Sequence, residues 1–149
     1  MNIAIVTGAS SGLGRSFIRQ LDRQGGLDEI WGVARRRERM EELAAQLSTP
    51  MRPLALDLTK TESVETLRAL LQETGADVRV LVNSAGFGKF GTYADMTLQE
   101  TADMIDLNCR AAVALTAAAI PHMSRGARIL EICSSAAFQP LPGFNVYAA

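Results

Sequence analysis

Thr7-Gly8-Ala9-Ser10-Ser11-Gly12-Leu13-Gly14 follows the apolar stretch Ile3-Ala4-Ile5-Val6 and precedes Phe17, Ile18 and Leu21, which mark one face of a helix. Strand, glycine turn and helix in that order decide the fold. Glycine permits a tight turn and close backbone approach, and the helix start offers unpaired N–H groups and partial positive charge suited to a pyrophosphate. Ser10 and Ser11 can add hydroxyl donors or cap the helix. An ordinary glycine-rich β-α turn is the plainer reading, and the strand and helix on either side favour nucleotide binding over it.

The same alternation continues outward from this turn. Apolar runs suited to buried parallel strands recur at 3–6, 30–33, 54–56, 78–82 and 129–132. Between them, Met40, Leu43, Ala44 and Leu47 mark a second amphipathic helix and Val64, Leu67, Leu70 and Leu71 a third. Strands alternating with helices imply right-handed crossovers and a sheet covered on both faces. The expected fold is α/β, a Rossmann-like doubly wound parallel sheet of five strands, forming one domain over residues 1–149. A longer crossover, from Thr97 to about Met123, carries small apolar residues on every face and should be deeply packed or lie at a subunit contact. Gly25-Gly26 and Ser48-Thr49-Pro50 punctuate junctions, and Pro140, Pro142 and Gly143 break up the segment after the last strand.

Composition sets bounds on partners. With 48% hydrophobic residues, 21% charged and a formal charge of −1, no general attraction to nucleic acid or an anionic membrane is built in. The first residues lack the pattern of a secretory signal, and the apolar run at 111–121 is shorter than a membrane span, so a soluble protein is expected. Cys109 and Cys133 have no partner at metal-ligand spacing, which points to no metal site and to a reduced, cytoplasmic setting. His122, the only histidine, reads as a helix-end residue.

The spacing Thr-Gly-x-x-x-Gly-x-Gly resembles that of the short-chain dehydrogenase/reductases, in their single-domain, non-extended branch. Further family markers follow in order across all 149 residues. Asp57-Leu58 after the third strand resembles the adenine-contacting Asp element, and Asn83-Ser84-Ala85-Gly86 resembles Asn-Asn-Ala-Gly. Asn108 falls where a long helix carries the family's catalytic Asn, and Ser-then-Tyr closes the sequence. The resemblance implies cofactor contacts at Gly8, Ser10, Ser11, Gly12, Leu13, Gly14, Asp57, Leu58, Asn83, Ala85, Gly86 and Tyr147. Asn83 is expected mainly to tie adjacent strands and shape the ribose pocket.

Cofactor preference turns on Gly32-Val33-Ala34-Arg35-Arg36-Arg37. An acidic residue at the end of the second strand holds a bare ribose 2′-OH, whereas a 2′-phosphate needs cations. Ala34 stands where an NAD-preferring relative carries Asp, and Arg35 follows where NADP is recognised, so NADP(H) is favoured over NAD(H). Arg36, Arg37 and Arg39 read as a solvated helix start. Many NADP-preferring relatives carry a basic residue just before the second glycine; here it is Ser11, and Arg15 reads as a helix-surface residue.

Carbonyl reduction needs a proton donor and a group that fixes the carbonyl oxygen. The resemblance assigns the acid to Tyr147, in Pro-Gly-Phe-Asn-Val-Tyr-Ala-Ala, and the oxygen-fixing role to Ser134, thirteen residues earlier, with Ser135 the alternative. It assigns Asn108, through its backbone carbonyl, to a water in the proton relay. The family lysine that assists the tyrosine would stand two residues past Ala149. The expectation is therefore an NADP(H)-dependent alcohol dehydrogenase or carbonyl reductase acting on a small alcohol or carbonyl compound. The parent is expected to be a homo-oligomer, with this chain its catalytically incomplete N-terminal portion. A non-catalytic nucleotide- or partner-binding module and an extended-branch sugar epimerase are the alternatives; the epimerase glycine spacing is usually one residue shorter.

Overall fold

The computed structural model describes residues 1–139 and 141–149, with Tyr93 described by its backbone alone. Pro140, read above as a breaker, lies outside the described residues. The strands are β1 (Asn2–Thr7), β2 (Glu29–Ala34), β3 (Met51–Ala55), β4 (Asp77–Asn83) and β5 (Arg128–Glu131). All pair in parallel, in the order β3-β2-β1-β4-β5. The order reverses between β1 and β4, so a crevice opens there at the carboxyl ends of the strands.

Period-two alternation builds the core on both faces of this sheet. Ile3 and Ile5 of β1, Trp31 and Val33 of β2, and Val78 and Leu81 of β4 face one way, against α3 (Thr61–Thr74) and α5 (Ala111–Ala119). Val6, Ile30, Ala34 and Val82 face the other, against Ile18 of α1 (Gly12–Gln24) and Met40 and Leu43 of α2 (Arg37–Ala44). An irregularity in the β1–β4 register between Ile3 and Ala4 keeps both faces apolar. Each fully buried aliphatic side chain contributes about 1.5–3 kcal/mol, and both layers are needed to cover such a sheet.

Strand boundaries depart from the apolar runs at the two edges. β3 begins at Met51 and includes Pro53, which an edge strand tolerates because one row of its N–H groups has no partner strand. β5 was expected among buried strands, yet Ile129 is 39% exposed, because this strand is the other edge of the sheet.

The long crossover forms a helix over Leu98–His122, 25 residues in length. It comprises α4 (Leu98–Ile105), a π turn at Asp106–Arg110, α5 and a final 3₁₀ turn at Ile120–His122, where His122 indeed ends the helix. Thr97 caps its start, accepting from Glu100 N at 3.1 Å while Glu100 accepts from Thr97 N at 2.9 Å. In length and hydropathy this helix reaches a membrane span, which the shorter apolar run did not show. Only one of its faces is packed: Ala111, Leu115 and Ala119 are buried, whereas Val113 and Ile120 are exposed. A short α6 (Asn145–Ala148) carries Tyr147.

Gly14 joins turn to helix by close contact. A Cβ there would lie 2.3 Å from the Gly8 carbonyl oxygen, a backbone atom that cannot rotate away. Gly14→Ala is expected to lower stability by about 2–3 kcal/mol. Denaturant unfolding checks this, and an unchanged midpoint would contradict the contact.

Candidate active site

Two clefts flank the glycine turn and share Ala85, Gly86 and Phe87 as a common wall. The first gathers Gly8, Ser10, Ser11, Arg35, Asp57, Leu58, Ala85 and Gly86, all named from the sequence, with Arg36, Thr59 and Asp103 beside them. The second gathers Leu13, Asn83, Asn108, Ser134, Ser135 and Tyr147, so the candidate catalytic residues converge although nearly forty positions of sequence separate the first from the last. Gly12 has a φ of +52°, and a Cβ there would meet nothing within 4 Å, so its backbone faces open space. Gly14 is buried behind it. Backbone bare on the open side and closely packed behind fits a pyrophosphate cradle.

Thr7 fixes the crevice between β1 and β4. Its hydroxyl oxygen accepts from Ser84 N at 3.0 Å and Ala85 N at 2.9 Å, and the Ser84 hydroxyl donates to the Thr7 carbonyl. Gly8, with φ +69°, sits within 3.2 Å of Ala85, measured from where a Cβ would be, so only glycine lets the turn approach β4. Thr7 carried no role in the sequence reading. Its signal, a polar residue ending an apolar strand, is too common to single out.

At the first cleft, Ser11 occupies the N-cap position of α1 but makes no capping bond. Its hydroxyl and that of Ser10 instead accept from Arg36 Nη2, each at 3.1 Å. Arg36 is the exposed N-cap residue of α2, as expected of a solvated helix start, and its side chain in addition reaches back onto the glycine turn. Arg37 also lies on the surface, 3.5 Å from Glu41. Arg15 is half-buried on α1, and its Nε is buried with no partner among the described residues. Burial pushes the Asp57 carboxyl up, but the Thr59 hydroxyl and amide, with Arg35 nearby, hold it below the ordinary carboxylate range.

At the second cleft, Asn83 donates to Glu131 Oε1 at 2.7 Å and Thr116 Oγ1 at 3.0 Å, tying β4 to β5 and α5. This is the strand-tying role expected of it. Its Oδ1 is buried without a partner among the described residues. Asn108 lies in the π turn, a local widening frequent at functional sites. Its amide is fully engaged with Phe87, donating to the carbonyl at 2.8 Å and accepting from the N–H at 3.0 Å. Ser134 is half-buried, and its Oγ accepts from Ala136 N at 3.2 Å, which fixes the oxygen and leaves the O–H to donate. Ser135 is exposed. Tyr147 packs 4.5 Å from Phe144, which stacks 4.7 Å from Phe90. Gly88 is pressed so close to both rings that a Cβ would lie 2.8 Å from Tyr147 Cδ2. Among the described residues, no Lys, Arg or His lines this cleft; Glu131 is the charged group that does.

Comparison with known proteins matches this arrangement. Residues 2–149 fit the family model described as short chain dehydrogenase. The chain is 32% identical over 146 residues to a serine 3-dehydrogenase of Agrobacterium fabrum, covering 96% of this chain and 57% of that protein. It is 31% identical over 150 residues to an NADP-dependent 3-hydroxy acid dehydrogenase of Shigella flexneri, covering 99% and 60%. Among solved structures, a short-chain dehydrogenase from Sphingobium yanoikuyae in complex with NADPH superposes with a TM-score of 0.87 at 28% identity, covering 99% and 59%. The chain thus spans between 57% and 60% of the length of these relatives. By its parallel sheet, its glycine turn and the match along nearly its whole length, the chain belongs to the short-chain dehydrogenase family of oxidoreductases.

Proposed function

We propose that this chain is the nucleotide-binding portion of a longer, cytoplasmic, homo-oligomeric oxidoreductase, an NADP(H)-preferring alcohol dehydrogenase or carbonyl reductase. The observation that carries this reading is the open glycine cradle between two clefts, one holding Arg35 and Arg36 and the other Ser134 and Tyr147. A dinucleotide laid across the cradle has one half in each cleft. Ala34 leaves the end of β2 without a carboxylate for a bare 2′-OH, and neither Arg35 nor Arg36 is ion-paired among the described residues. Two relatives add support, one described as NADP-dependent and one solved with NADPH.

NADP(H), when bound, supplies or accepts the hydride. The chain's residues orient the other reactant and move the proton. Ser134, its Oγ anchored by Ala136 N, donates a hydrogen bond to the substrate oxygen, and Tyr147 Oη gives or takes the single proton as the carbonyl and alcohol interconvert. Asn108 contributes through its backbone, because both ends of its side chain are spent on Phe87. Among the described residues no cation lines the cleft to assist Tyr147. The exposed apolar series Leu98, Ile105, Val113 and Ile120 along the long helix supports an oligomeric parent.

Calorimetric titration with NADPH and NADH at fixed salt tests the cofactor assignment. NADPH is expected to bind more tightly, and Arg35→Ala is expected to cost about 1.5–3 kcal/mol of NADPH affinity. Equal affinities for the two cofactors contradict the reading.

A further inference from the structure

The π turn at Asp106–Arg110 borders both clefts. Leu107 lines the first, with Asp103 one turn before it, and Asn108 lines the second. A π turn closes by bonds one residue longer than those of an α-helix, here from Ala111 N–H to the Asp106 carbonyl, so it carries one residue more than the helix on either side accommodates. Whatever fixes this turn fixes where Asn108 stands. Arg110 does so with all three arms of its guanidinium. Nε donates to Asp106 Oδ1 at 2.7 Å within the turn, Nη2 to the Thr59 carbonyl at 2.7 Å and Nη1 to Thr61 Oγ1 at 3.3 Å. The last two partners lie 51 and 49 positions away in sequence, between β3 and α3 and at the start of α3.

That segment is a wall of the first cleft. Thr59 lines it and holds Asp57 Oδ1, through its N–H at 3.1 Å and its hydroxyl at 2.8 Å. Thr59 therefore faces two ways, with amide and hydroxyl on Asp57 and carbonyl on Arg110. Charge-assisted bonds are the stronger polar contacts, and a planar fork makes several of them in fixed relative directions. A displacement of Asp57 and Thr59 is carried by this fork to Asp106 and the turn. A second route exists, because Phe87 lines both clefts and holds the Asn108 side chain.

We propose that Arg110 is a positioning residue that ties the wall of the nucleotide cleft to the long helix, so that a nucleotide held at Asp57 sets the place of Asn108 in the second cleft. This rests on the nucleotide-binding reading above.

Backbone amide spectra of the isotopically labelled chain, titrated with adenosine 5′-diphosphate for wild type, R110A and R110K, test the proposal. This probe lacks the nicotinamide half. Wild type is expected to show saturable shifts at Asn108 and Cys109 in step with those at Asp57 and Thr59. R110A is expected to weaken the nucleotide about tenfold and, at saturation, to keep the Asp57 shift while losing most of that at Asn108 and Cys109. R110K is expected to fall between, since it keeps the charge without the fork. In a protein carrying the C-terminal portion that the relatives possess, R110A is expected to lower kcat at saturating NADPH about tenfold; a residue that only held the loop would raise KM for cofactor and leave kcat unchanged. An Asn108 shift undiminished in R110A would show the route through Phe87 and overturn the proposal, as would an unchanged kcat. A wild type that binds the nucleotide with no change at Asn108 overturns the proposal and leaves the nucleotide reading standing. A wild type that does not bind it overturns both. Should R110A not fold, the Asn108 shift in R110K decides by the same measure.

Discussion

Replacing Tyr147 by phenylalanine, in a protein carrying the C-terminal portion that the relatives possess, is expected to lower kcat/KM for carbonyl reduction about 10²–10⁴-fold. Cofactor affinity should change by less than about threefold, because a single hydroxyl leaves and the ring keeps its packing on Phe144 and Gly88. Ser134→Ala should cost about 10²–10³-fold in kcat, and Ser135→Ala much less. The structure separates the two serines: Ser134 Oγ is anchored by Ala136 N, while Ser135 starts the 3₁₀ turn with its side chain exposed. Steady-state kinetics on the three variants checks the set. A more damaging Ser135→Ala would exchange their roles, and a Tyr147→Phe variant of full activity would remove the proposed proton donor.

The 149-residue chain assayed by itself is expected to bind cofactor without turning over any aldehyde or ketone. A phenol releases its proton near neutrality only beside positive charge. The sequence has two lysines. Lys89 is held 2.7 Å from Glu100 Oε1, and Lys60 stands ahead of α3. Glu131, the charged group at the Tyr147 cleft, has the wrong sign to help. The same chain is expected to self-associate, because β5 is an edge strand with Ile129 and Ile132 exposed, and the long helix exposes Val113 and Ile120. Assays with NADPH and a carbonyl panel, run beside light scattering, check both halves. Robust turnover by a monodisperse monomer contradicts them.

The central architecture was legible because its signals are local. β1, the glycine turn and α1 are contiguous, and strands buried on both faces read as unbroken apolar runs. Edges were harder to read. Pro53 interrupts the apolar run of β3, and the exposure of β5 depends on what lies beside it, which an apolar run does not encode. At the site, positions tied to motif spacing were accessible, among them the closely packed Gly8 and Gly14 and the strand-tying Asn83. Side chains outside any motif, placed by their reach, were not. Arg36 sits in a run of arginines, and nothing local distinguishes the one that turns back across 26 residues to Ser10 from the one that pairs with Glu41. Phe90 and Phe144 likewise look like ordinary apolar residues until the fold stacks them behind Tyr147.

The central claim, that the glycine turn and its two clefts hold NADP(H), is tested most directly by following the backbone amides of the isotopically labelled chain during NADPH titration. Saturable shifts are expected at Gly8, Ser11, Gly12 and Leu13 of the turn, at Asp57 and Leu58, and at Ala85 and Gly86. Shifts confined to other residues, or no saturable change at millimolar NADPH, would contradict the account.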